Sequence, residues 1–289
     1  MWQVLLGRRL PIESVVWESL VLASAILLAW VGILALRSVR QRQWLGRGHH
    51  AAAWLAWTLV AVAVAVKAGA MGHFPLASWQ DSLLFWAETA LLLLLVLEAC
   101  RHWWVVEALG FPVVAAALAA AVFLPAQAAD FQPFLGSHWL SLHAALNLTS
   151  YGAFALAFLA ALLYLQQEKR LKQRRLTGWF HVLPPLEQLE WTIRHLITVG
   201  FVLMGLGIAT GSIYARVAWG SYWSWNLKEA WTLLTWLFYA AGVGAVRLRR
   251  WPTRRVAEWG VAGFALILFN YFVVNLVWQS PHSLSHIPW

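Results

Sequence analysis

Residues 219–236 read WGSYWSWNLKEAWTLLTW, five tryptophans and one tyrosine set around Asn226, Lys228 and Glu229. The rest of the chain is mostly long apolar runs, and spanning a bilayer requires apolar side chains but no packed run of indoles with Gly220 inside it. Two accounts are open. Trp and Tyr collect where hydrocarbon meets headgroups, with ring edges still able to hydrogen-bond, so the stretch reads as an interfacial belt. It also reads as a flat aromatic platform for a large planar ligand, whose polar rim is set by Asn226, Lys228 and Glu229.

Outward from this stretch, composition bounds the class. The 289 residues are 61% hydrophobic and only 11% charged, with a mean hydropathy of +0.64, whereas about a quarter of residues are charged in a soluble domain. An all-α polytopic membrane protein is expected, a single integral-membrane domain over 1–289. Apolar runs of about 20 residues, the length that crosses the hydrocarbon core, fall at 15–36, 51–70, 82–100, 104–124, 139–166, 191–214, 229–247 and 256–278. No small-residue cleavage site follows the first run, so it reads as a retained anchor. Cys100 is the one cysteine, which excludes an internal disulfide, a CxxC thiol pair and a CxxCH haem-attachment site.

The formal charge of +9 is concentrated between the runs. Arg37, Arg40, Arg42 and Arg47 follow the first; Arg101 the third; Lys169, Arg170, Lys172, Arg174 and Arg175 the fifth; Arg247, Arg249, Arg250, Arg254 and Arg255 the seventh. Together these are 15 of the 21 Lys and Arg on one face of an eight-span topology. By the positive-inside rule that face is cytoplasmic, which puts both termini and the tryptophan-rich loop outside. A nucleic-acid reading of the charge is thereby set aside.

Ten histidines are many for so apolar a chain. His49, His50 and His181 fall in basic loops and read as solvated; His102 lies in the turn between the third and fourth runs. At the outer face stand His73, His138, His143, His282 and His286, and near the cytoplasmic start of the sixth run stands His195. An ionisable residue at membrane depth is expensive and is a site candidate by default.

The stretch 219–236 resembles the tryptophan-rich WWD signature of the CcsA/ResC family of System II cytochrome c biogenesis, WGxYWxWDPKExWxLxxW, with Asn226 and Leu227 standing where Asp-Pro is usual. Two more segments resemble the family: SHWLSLHAALNLTSYGAF (137–154), which puts His143 on the histidine flanking the WWD domain from the N-terminal side, and FNYFVVNLVWQSPHS (269–283), which puts His282 on the second flanking histidine. The segment HFPLASWQDSLLFW (73–86) resembles the family's FPL stretch, with Asp81 near its acidic position.

The resemblance implies a haem-binding WWD segment over 216–236, noncovalent haem b in transit, and His143 and His282 as axial iron ligands. Trp219, Tyr222, Trp223, Trp225, Trp231 and Trp236 would form the platform. Asn226, Lys228 and Arg216 lie beside it, the two cations able to meet propionates. It further implies delivery of haem to the CxxCH motif of an apocytochrome c, a ResB/CcsB-like membrane partner and a thiol-reducing membrane protein, all at a bacterial-type cytoplasmic (inner) membrane. The family's deeper histidine, on the span after the signature, is Gly244 here. His195 is expected at a similar depth, either as a replacement ligand or as a core residue paired with Glu190 or Thr198.

Two readings from other classes remain at this point, a HemX-like haem-binding protein with a regulatory or assembly role, favoured by Asn226, Leu227 and Gly244, and a small transporter or b-haem subunit. The last lacks paired histidines facing each other in mid-bilayer. No residue has the setting of a catalytic nucleophile.

Overall fold

The computed structural model describes residues 12–41, 48–72, 74–76, 78–101, 104–124, 138–174, 183–248 and 251–270. Among the described residues the regular structure is helical throughout. The elements are α1 (Ile12–Gln41), α2 (Gly48–Met71), α3 (Trp79–Arg101), α4 (Trp104–Phe123), α5 (His138–Lys172), α6 (Leu186–Trp219), α7 (Leu227–Arg247) and α8 (Thr253–Leu268). The eight helical segments expected from the apolar runs are all present. Length and apolarity alone qualify five of them, α1, α2, α3, α5 and α6, to cross a membrane. The apolar part of α4, Ala108–Phe123, is shorter. Charge at its ends dilutes α7, and α8 has 16 described residues.

Local chemistry sets the breaks. Pro184 and Pro185 cannot continue a helix from the preceding segment but suit the residues just before one, and α6 begins at the next residue. At its other end α6 stops at Gly220, whose φ of 77° is left-handed and whose N–H is donated to the Arg216 carbonyl, a conformation glycine takes without a Cβ clash.

The helices form two groups joined by α5. In the first, α1 lies against α2 and α4, and α3 packs on α4 and α2. In the second, α5 and α6 share the most extensive interface of the bundle, α8 lies on α5, and α7 sits between α6 and α8. The α3–α5 contact ties the groups together. At the centre of the second group Phe154 of α5 stacks on Tyr239 of α7 at 3.8 Å and 16°.

Polar contacts define the two ends. At one end His50 of α2 meets Glu98 of α3 at 3.0 Å, and Arg254 of α8 meets Glu168 of α5 at 3.6 Å. The ends of odd-numbered helices and the starts of even-numbered ones therefore share a side, as the basic clusters require. At the opposite end Lys67 of α2 lies 2.6 Å from Asp81 Oδ1 of α3, donates to Gln80 Oε1 at 2.8 Å and sits 4.1 Å over the Trp17 ring of α1. Gln80 Nε2 donates to the Ala121 and Leu124 carbonyls at the end of α4. Ser78 and Asp81 complete a reciprocal capping box: Asp81 N–H donates to Ser78 Oγ, and Ser78 N–H to Asp81 Oδ2. One buried cluster thus fixes the relative heights of four helices, and the resemblance at Asp81 has a structural explanation.

Removing one member of a buried ion pair strands the other, a loss of about 3–5 kcal/mol. Asp81→Asn is expected to lower the thermal unfolding midpoint strongly, and the same change in a Lys67→Met background to lower it much less. Additive effects of the two substitutions, measured by intrinsic fluorescence in detergent, would show that the pair is not coupled.

Candidate functional site

The site grows from the interface between α5 and α6. Three glycines on one face of α6 meet three side chains on one face of α5. A Cβ added at Gly200 would lie 2.7 Å from Phe154 Cε1, at Gly207 2.6 Å from Asn147 Nδ2, and at Gly211 2.6 Å from His143 Cε1. Steps of four and seven residues along α5 are answered by equal steps back along α6, so the helices run antiparallel in one continuous register. Only the absence of a side chain on α6 lets the backbones come this close, which is how helices without a hydrophobic drive between them gain contact.

His143 lies on this seam, half-buried. Its Nδ1 is 2.7 Å from the Gly207 carbonyl oxygen. That oxygen can only accept, so Nδ1 carries the proton and Nε2 a lone pair, an assignment that follows from the hydrogen-bond network. Asn147, one turn along, donates from Nδ2 to the His143 carbonyl at 2.8 Å and comes within 3.2 Å of Nδ1. A histidine that binds metal through one nitrogen commonly donates the other N–H to a carbonyl, and His143 has that arrangement.

The loop 220–226 is held by a polar frame. Asn226 is the N-cap of α7, its Oδ1 accepting the Glu229 N–H at 2.9 Å. The Glu229 carboxylate folds back to accept from Ser224, 2.8 Å from its backbone N and 3.0 Å from its hydroxyl. Asn226 Nδ2 in turn donates to Ser224 Oγ at 2.8 Å. Ser221 Oγ donates to the Trp223 carbonyl at 2.9 Å, and Arg216 donates to the Gly220 carbonyl. Within this frame Trp225 takes a left-handed φ of 56°, an uncommon conformation for so bulky a residue. Its ring meets Trp223 edge-on at 5.8 Å.

Between the seam and the loop opens a cleft with about 590 Å³ of empty space, lined by His143, Tyr222, Trp223 and Lys228 together with residues of α6 and the start of α7. The indole Nε1 of Trp223 is buried with no hydrogen-bond acceptor among the described residues. Arg216 stands over the exposed Tyr222 ring at 5.7 Å.

The remaining residues singled out from the sequence lie elsewhere. Asn226 stands behind the cleft as a helix cap. Trp225 is 73% exposed, and Trp219 packs edge-on to Tyr214 at 5.6 Å; neither lines the cleft. Trp231 turns to α8, donating from Nε1 to the Leu266 carbonyl at 3.3 Å. Trp236 turns to α6, donating to the Phe201 carbonyl at 3.2 Å and stacking on the Phe201 ring. His195 is exposed, its Nδ1 2.7 Å from the Trp191 carbonyl and its ring stacked on Trp191 at 3.8 Å, with neither Glu190 nor Thr198 as hydrogen-bond partner. It lies 16 residues from Gly211 on the same helix, about 24 Å at 1.5 Å per residue. His282 lies outside the described residues, as do His73, His102, His181 and His286.

Ile208, Gly211, Ser212 and Ala215 line the cleft without having been picked out. Their spacing, one helical face of α6 leading into the tryptophan run, is the signal that points to them. Glu229 and Tyr214 also reach it.

The family described as cytochrome C assembly protein matches residues 76–282. Among curated relatives, the cytochrome c biogenesis protein CcsA of Prochlorococcus marinus subsp. pastoris is 33% identical over 241 residues, 75% of this chain and 76% of that protein. CcsA of Guillardia theta is 29% identical over 283 residues, 91% of this chain and 93% of that one. Among solved structures, the cytochrome c heme lyase CcmF superposes with a TM-score of 0.59 at 17% identity, over 94% of this chain. This chain spans about half of that lyase, 47%, and the likeness is one of fold.

The cap uses the oxygen of Asn226, so Asn226→Asp is expected to fold, whereas Asn226→Leu leaves the Glu229 N–H without its acceptor and takes from the Ser224 oxygen the bond it accepts. Losing an N-cap costs about 0.5–2 kcal/mol. The Leu variant should show a lower unfolding midpoint and faster proteolysis within 220–226; equal midpoints for parent and Leu variant would show that the cap does not hold the loop.

Proposed function

Because this chain belongs to the cytochrome c assembly family and has CcsA proteins as relatives, we propose that it is a multi-pass haem-handling subunit that works in cytochrome c biogenesis by presenting haem at the cleft between α5, α6 and the 220–226 loop. The observation that carries the reading is the His143 ring. Its Nδ1 is committed to the Gly207 carbonyl, which leaves the lone pair on Nε2, and the ring lines a cleft that Tyr222, Trp223 and the cation Lys228 also line.

Those features fit an iron porphyrin chemically. The lone pair suits ferrous or ferric iron, the rings of Trp223 and Tyr222 suit a planar macrocycle, and Lys228 suits carboxylates. His143 and His282 would hold the iron. Bound haem supplies the vinyl groups and the redox-active iron of thioether formation. This chain's residues orient the macrocycle, set its height and limit water at the iron. The substrate chain would be the CxxCH segment of an apocytochrome c, and the exposed rings of Trp225 and Tyr222 face the side from which it would approach. A ResB/CcsB-like membrane protein and a thiol-reducing membrane protein complete the assembly in this reading. The site then lies on the outer side of a bacterial-type inner membrane, and the basic ends of the helices on the cytoplasmic side.

A HemX-like role in regulation or assembly remains the second reading, favoured by one observation. A Cβ at Gly244 would meet nothing within 4 Å, so the position of the family's deeper histidine is an open place on α7. Trp236 lies against Phe201 and Gly205, and continuing that antiparallel register brings Gly244 level with His195 of α6. His195, like His143, has its Nδ1 on a carbonyl, at 2.7 Å. Loss of synthase function while haem binding persists would follow if the deep position is vacant; a ligand supplied by His195 would preserve it.

Purified with its partners, the protein is expected to show the reduced-minus-oxidised spectrum of low-spin b-type haem. His143→Gly should lower haem content severalfold, with added imidazole restoring the spectrum. An unchanged spectrum in the His143→Gly, His282→Gly double variant would refute the assignment. His195→Ala should leave the outer haem intact and reduce maturation of a reporter cytochrome c only if the deep position is in use; wild-type maturation would make His195 structural.

A further inference from the structure

A histidine ligand has to face one way, and the surroundings of His143 are built for direction more than for packing. We infer that Gly211, Gly207 and Asn147 are positioning residues for His143: the Gly207 carbonyl selects the Nδ1–H tautomer, while Gly211 and Asn147 fix the ring so that Nε2 is aimed into the cleft. The inference rests on the haem reading for its purpose but not for its geometry.

Gly211 leaves the space the imidazole fills, since any side chain there would place a Cβ 2.6 Å from Cε1, a separation real Cβ atoms do not show. Gly207 contributes twice. Its carbonyl takes the Nδ1 proton at 2.7 Å, and its missing side chain makes room for Asn147, 2.6 Å from where a Cβ would stand. Asn147 anchors the backbone of the histidine through the His143 carbonyl at 2.8 Å, and its Nδ2, 3.2 Å from Nδ1, occupies the space into which the ring would otherwise swing. A ring flip would put a carbon against the Gly207 carbonyl and lose the bond. Asn147 is 8% exposed, and its Oδ1 has no hydrogen-bond partner among the described residues. An apolar side chain would pack on this seam without that cost, so the asparagine is accounted for by what it does to His143.

The same seam supplies the comparison that separates positioning from packing. Gly200 likewise admits Phe154, whose Cε1 would lie 2.7 Å from an added Cβ, but no ligand candidate sits there. If the glycines serve only to bring α5 and α6 together, alanine at either place has the same consequences. If Gly211 serves His143, the two differ.

The test uses the full-length protein labelled with ¹⁵N-histidine, first without haem. The His143 resonances, identified by their loss in His143→Gln, are expected to show a protonated Nδ1 and a bare Nε2. Gly211→Ala should abolish that pattern, Asn147→Ala, which introduces no clash, should keep Nδ1 protonated but shift and broaden the ring resonances as the ring gains room to swing, and Gly200→Ala should leave the pattern intact even if it lowers the unfolding midpoint. In the haem-loaded protein Gly211→Ala should change low-spin iron to high-spin, with imidazole reversing the change. An unaltered His143 pattern in both Gly211→Ala and Asn147→Ala, or the same alteration in Gly200→Ala, overturns the inference. The expected pattern in a protein that takes up no haem overturns the haem reading instead and leaves the positioning role standing.

Discussion

The close approach of α5 and α6 is the constraint on which the rest depends. Helices surrounded by hydrocarbon gain little by burying apolar surface against one another, so their association rests on contact and hydrogen bonds, and small residues make both available. Gly200, Gly207 and Gly211 bring the two axes together along one face of α6. Every other member of the second helix group takes its place from that pair: α8 lies on α5, and α7 is held to α6 through Trp236, whose indole reaches the Phe201 carbonyl. The height of the α7 start, and with it the height of Lys228 over His143, follows from the register.

The tryptophan loop obeys a different logic. It has little buried surface of its own, since Tyr222 and Trp225 are 61% and 73% exposed, so hydrogen bonds rather than packing give it shape. The replacement of the family's aspartate by Asn226 becomes intelligible in that setting. Capping needs one oxygen, which an amide supplies as well as a carboxylate. The second amide atom donates to Ser224 Oγ while the serine's proton goes to Glu229. A carboxylate at 226 would set two anions around one hydroxyl proton, so Ser224 and Asn226 form a matched pair, and the charge lost from the signature is one the cap does not use. Leu227 departs more simply. It occupies the first turn of α7, where proline is favoured because that N–H has no helical partner, but where any residue with helical φ is accepted.

Much of this was legible in the chain because the signals are strong and local. Apolar runs of bilayer length marked the starts of eight helices to within about five residues, the end of the eighth run lying outside the described residues, and the basic clusters marked which ends lie together. The motif around 219–236 led to a cleft that does contain His143, Tyr222, Trp223 and Lys228. What the motif conceals is direction. Trp231 and Trp236 belong to the same run as Trp223, yet on a helix successive residues point about 100° apart, so a tryptophan-rich helix start sends its rings to several neighbours at once. Their indoles fasten α7 to α8 and α6. The role of α6 was hidden for a related reason: glycine gives no chemical sign of what it admits, and Gly211 acquires meaning only once the side chain opposite it is known.

The indole N–H groups of this half of the molecule separate frame from site. Trp231, Trp236 and Trp259 each donate to a backbone carbonyl of a neighbouring helix, Leu266, Phe201 and Phe238 respectively. In each case the acceptor is a helical carbonyl that already serves its own turn, so the bond adds a tie without taking one away. Trp223 has a buried Nε1 and no such partner. A buried unsatisfied donor costs about 1–3 kcal/mol, and it is tolerated where the surrounding frame is tied tightly enough to carry it. This one belongs to a residue that lines the same cleft as His143, whose Nδ1 is committed to a backbone carbonyl.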